Sequence, residues 1–164
     1  MDKVWTQGYP AGVNAYIDRP HSTVLDIFDD KLQAFADRQF TSNMGVSYSY
    51  AQIDSISLQI AAWIQNLGLA KGSVIAIMMP NVHQYLPIVI GVIRAGMVTT
   101  LINPLYSPRE LKHQLIDSDA KAIFILEPFC NTLETIIDET LIRTVVVSKI
   151  GDMLGAAKGM VIDI

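Results

Sequence analysis

From Ser73 onward the chain repeats one unit, and that repetition constrains the fold more than any other feature. Short uncharged runs at residues 74–79, 97–102, 122–126 and 144–147 alternate with longer segments near 82–95, 108–117 and 129–140 that carry helical spacing. The short runs read as apolar strands, and the one at 97–102, uncharged, β-branched and bounded by breakers, as a strand covered on both faces. Repeated strand, helix, strand with short joins requires right-handed crossovers, so the strands run parallel with helices on both faces of the sheet. The fold class is α/β: a layered parallel sheet, preceded by a small hairpin and an N-terminal arm.

The junctions around the second strand are the most explicit. Arg94 sits in the last turn of an apolar helix, where a cation complements the carbonyl end, and Gly96 follows as the residue best able to take the left-handed cap. Asn103 and Pro104 end the strand, because proline restricts the residue before it and has no amide to donate. Ser107, Pro108 and Glu110 then supply a cap, a first helical residue and a side chain placed to bond back to the cap amide.

Ahead of Ser73 the pattern differs. Residues 1–20 hold Pro10, Gly12 and Pro20 with Trp5, Tyr9 and Tyr16 between them and no sustained period, which predicts an extended arm. Its aromatics are expected to pack on the chain's own domain, with a neighbouring subunit as the alternative. Ser22 or Thr23 caps a helix with Leu25, Phe28, Leu32 and Phe35 inward, while Asp29 and Asp30 read as a solvated face. Asn43, Met44 and Gly45 mark a hairpin turn, with asparagine and glycine supplying it. Ser49 and Gln52 open a long helix whose single face is Ile53, Ile56, Ile60, Ile64 and Leu67, and Gly68 closes it. The domain division is therefore an arm at 1–20 and an α/β domain at 21–164.

A net charge of −4 without a Lys/Arg cluster argues against an electrostatic nucleic-acid binder. The single Cys130 allows no internal disulfide and fits a reducing, intracellular compartment. Residues 73–93 carry no formal charge, but Pro80, Asn81, His83, Gln84 and Pro87 interrupt them, so they read as strand, turn and buried helix rather than a membrane span. A hydrophobic fraction of 51% and the terminal run Val161, Ile162, Asp163, Ile164 lead to the expectation that the chain is a truncated piece of a larger protein.

On particular phrases the chain resembles the N-terminal part of the AMP-forming acyl-CoA ligases, most closely the bacterial long-chain fatty acid CoA ligases. The phrases are MMPN at 78–81, IRAGM at 93–97, NPLYSPREL at 103–111 and HQLIDS at 113–118, supported by VWTQGYPAGV at 4–13 and IGDMLGAAKG at 150–159. The resemblance implies the N-terminal subdomain of the adenylate-forming fold, incomplete at its C-terminal end. It implies a full-length parent that converts ATP, a fatty acid and CoA to acyl-CoA, AMP and diphosphate, with ATP, Mg2+ and coenzyme A as cofactors. A cytoplasmic location peripheral to the inner membrane, and a homodimer, are carried over with it. Another acyl- or aryl-CoA ligase, a free-standing doubly wound nucleotide-binding module with its ligand beyond the strand carboxyl ends, and an interaction module are the alternatives.

The chemistry itself has no visible seat. The family's glycine- and hydroxyl-rich phosphate loop has no counterpart, and Lys158 beside Gly159 lacks the hydroxyl a phosphate cradle needs. Ser47 belongs to a hairpin rather than a nucleophile elbow. His21, His83 and His113 are far apart and without partners at ligand spacing, His113 reads as an ordinary helix-surface residue, and Cys130 reads as a small buried residue. No catalytic, cofactor-binding or metal residue is assigned, and the chain alone is expected to be inactive and to bind no cofactor tightly.

Overall fold

The computed structural model describes residues 4–17 and 20–162, with the backbone alone at 156 and 157. Residues 1–3, 18 and 19 of the expected arm, and Asp163 and Ile164 of the terminal apolar run, lie outside the described residues. Six strands and six α-helices are described: α1 (Val24–Ala34), β1 (Gln39–Asn43), β2 (Val46–Ser49), α2 (Tyr50–Gln65), β3 (Val74–Met78) and α3 (Tyr85–Arg94) come first. They are followed by β4 (Val98–Leu101), α4 (Pro108–Asp117), β5 (Ala120–Leu126), α5 (Cys130–Glu134), β6 (Thr144–Ser148) and α6 (Ala156–Ile162). Strands β3 to β6 form one parallel sheet in the order β4-β3-β5-β6, as the alternation predicts.

Because side chains alternate along a strand, the sheet builds two cores. Ile75, Ile77, Ala122, Phe124 and Leu126 meet α2 and α3 through Ile64, Ile88 and Val92. Ala76, Met78, Ile123 and Ile125 face the other way, onto Leu111 and Leu115 of α4 and Leu133 of α5. A third cluster of Leu32, Ile53 and Ile90, with Phe28, Phe40 and Tyr48 against it, binds α1 and the hairpin to the outer side of α2 and α3.

Three helix starts read from the letters are present with both halves of the capping box: Thr23 with Asp26, Ser49 with Gln52, and Ser107 with Glu110. Gly68 and Gly96 take the left-handed conformation after their helices, at φ 71° and 78°. Residues 73–93 divide into β3, a turn and α3, and no helix among the described residues is long and apolar enough to cross a membrane.

Five expectations are corrected. The 97–102 strand is not covered on both faces: β4 is an edge strand, with Val98 and Leu101 half exposed. The 129–140 helix is only α5, flanked by single 3-10 turns, since the amides of Ile136, Glu139 and Thr140 bond three residues back rather than four. The buried face of α2 is Ile53, Ser57, Ala61 and Ile64, with Ile56 and Ile60 on its flank. In the hairpin turn Met44, not Asn43, is left-handed beside Gly45, while Asn43 pairs with Val46. Trp5 of the arm is not packed away on the domain: among the arm's described residues, Val4, Trp5, Val13 and Ile17 are more than half exposed.

Candidate functional site: a cleft beyond the strand carboxyl ends

The sheet order makes the chain diverge at one place. It leaves β3 towards β4 on one side and leaves β5 towards β6 on the other, so the connections after β3 and β5 part company at adjacent carboxyl ends. In open parallel sheets that divergence opens a crevice for ligands. A cleft of about 500 Å3 lies there, lined by Met79, Pro80 and Asn81 after β3, Asn103 to Leu105 after β4, and Phe129 after β5.

Each wall is held from the chain behind it. Asn103 Oδ1 accepts the Leu105 amide at 3.0 Å, which closes the turn at Pro104 and leaves Leu105 projecting at 84% exposure. The Gln114 side-chain amide donates to Thr100 Oγ1 and to the Leu101 carbonyl, each at 3.0 Å, tying α4 to the end of β4. Ser107 donates its hydroxyl and its amide to Glu110, at 2.7 and 2.9 Å, and these bonds hold the Glu110 carboxyl below its ordinary range. The cleft's side chains are apolar apart from Asn81, Asn103 and the Tyr85 hydroxyl, with no lysine, arginine or carboxylate among them. Such a lining does not fit the phosphates of ATP or a magnesium ion, which need cations and carboxylates respectively. It fits a wall against an apolar or weakly polar group.

The other singled-out residues are dispersed. His83 is buried, its Nδ1 2.9 Å from Thr41 Oγ1 and its ring edge-on to Tyr48, and Nε2 has no partner among the described residues. His21 lies 3.9 Å from Asp30 on the surface, and His113 is exposed on α4. Ser47 Oγ donates to Ser42 Oγ across the hairpin at 3.3 Å. Lys158 Nζ donates to the Met44 carbonyl at 2.9 Å, joining α6 to the hairpin turn. Cys130 is half-buried, and burial, with the charges of Glu127 and Glu134, pushes its thiol up. Among the described residues no group of three or more His, Cys, Asp or Glu could hold a metal ion.

Asp29 is more than a solvated surface residue, although 43% of its side chain is exposed. It pairs with Arg94, whose Nη1 also reaches Asp54 Oδ1 at 2.6 Å and Ser57 Oγ at 2.8 Å, so one side chain joins α1, α2 and α3. Burial pulls the guanidinium down, and the bonds to Asp29 and Asp54 outweigh it, so Arg94 stands above its ordinary value. The sequence shows Arg94 only as a helix-end cation. Its two carboxylate partners, 65 and 40 positions away, become visible only once three helices are packed.

A parallel sheet with helices on both faces and a cleft at its divergence point defines an α/β protein of the doubly wound type. The chain belongs to the AMP-binding enzyme family, whose profile matches residues 28–160. It is 43% identical to a long-chain-fatty-acid–CoA ligase of Yersinia pestis, over 99% of this chain and 29% of that protein. Among solved structures, a long-chain-fatty-acid–CoA ligase from Archaeoglobus fulgidus superposes with a TM-score of 0.74 at 22% identity, covering 86% of this chain and 30% of that one. A benzoate CoA ligase from Burkholderia xenovorans LB400 gives 0.71 at 17% identity, covering 85% and 28%. The chain thus spans just under a third of the length of the relatives it matches.

Proposed function

We propose that this chain is the N-terminal part of a long-chain fatty acid CoA ligase, which activates a fatty acid with ATP and passes the acyl group to coenzyme A with magnesium assisting. The observation that carries the reading is the 43% identity to a relative of that name, sustained over 99% of this chain. Similar TM-scores for a fatty-acid and a benzoate ligase leave the acid to sequence likeness rather than fold. The division into an arm at 1–20 and an incomplete domain at 21–164 belongs to the same proposal, as does the absence of catalytic residues from this stretch. Homodimerisation and a peripheral membrane location are its finer parts, supported by the aromatic arm, uncharged over residues 4–17, whose Trp5 is 64% exposed.

In this reading these residues are scaffold. The cleft contributes an apolar wall, and phosphate and metal ligands come from elsewhere in the longer protein. The test is fatty-acid-dependent AMP formation from ATP. The chain alone should stay at background, and a polypeptide extended to the relatives' length should turn over palmitate. Turnover by the chain alone, or none by the extended protein, would overturn the proposal.

A further inference from the structure

We draw no further inference here: the strongest candidate, the outer edge of β6, which no strand among the described residues pairs and where Val145 and Val147 are 38% and 51% exposed, is an apolar sheet edge, and nothing in the structure shows what covers it.

Discussion

Arg94 Nη1 stands 2.6 Å from Asp54 Oδ1, a contact between the last turn of α3 and the first turns of α2. The same guanidinium reaches Asp29 of α1, and only 10% of the Arg94 side chain is exposed. Removing one partner of a mostly buried ion pair strands the others. Arg94→Ala is therefore expected to lower stability by about 2–3 kcal/mol, read as a shift in the urea midpoint. Arg94→Lys should recover only part of the loss, since one ammonium cannot hold two carboxylates and Ser57 in the same geometry.

Gly91 is where α2 and α3 come closest. A Cβ there would stand 2.7 Å from Ile60 Cγ2 and 2.9 Å from the Ser57 carbonyl. Gly91→Ala should cost about 1–3 kcal/mol by overpacking, despite alanine's better helix propensity. Ile60→Ala in the same chain should return part of that cost, and a double-mutant cycle of denaturation midpoints measures how much.

The hairpin turn stores strain at Met44, whose φ is 49°. Asparagine visits that conformation more readily than an unbranched apolar residue. Met44→Asn should raise stability by a few tenths to about 1 kcal/mol, seen as a higher thermal midpoint. The bond from Lys158 survives, because its acceptor is the Met44 backbone carbonyl.

Acid should release the start of α4. The Glu110 carboxyl is held below its ordinary range by the Ser107 hydroxyl and amide, so its contribution is present above the unfolded value and lost as pH falls through the folded one. Amide protection in the first turn of α4 should fall below about pH 4.3. Glu110→Gln keeps the backbone bond and carries no proton to titrate, so its protection should be flat across that window.

How much of this was legible beforehand differs from element to element. The caps at Thr23, Ser49 and Ser107 were readable because each bond spans three residues. The parallel sheet was readable from the alternation of strand and helix signals. The edge position of β4 was not, because Val98 and Leu101 are written in the same apolar letters whether or not a neighbour covers them. The face of α2 was misread by one position: Ser57 is fully buried as a partner of Arg94, and nothing local announces that. The cleft at the divergence point needed the strand order, and the bond that holds the buried Gln84 amide needed a carbonyl 65 positions further on.

By itself, the sequence determined most of the elements, the caps of α1, α2 and α4, the α/β class and the family, because those depend on contacts within one turn of helix or on wording shared with relatives. Tertiary structure alone decided which strands are edges, which carboxylates meet Arg94, and where buried polar atoms lack partners. These are long-range matters: a side chain's partners and its access to water are set by segments tens of residues away, and only packing brings them together.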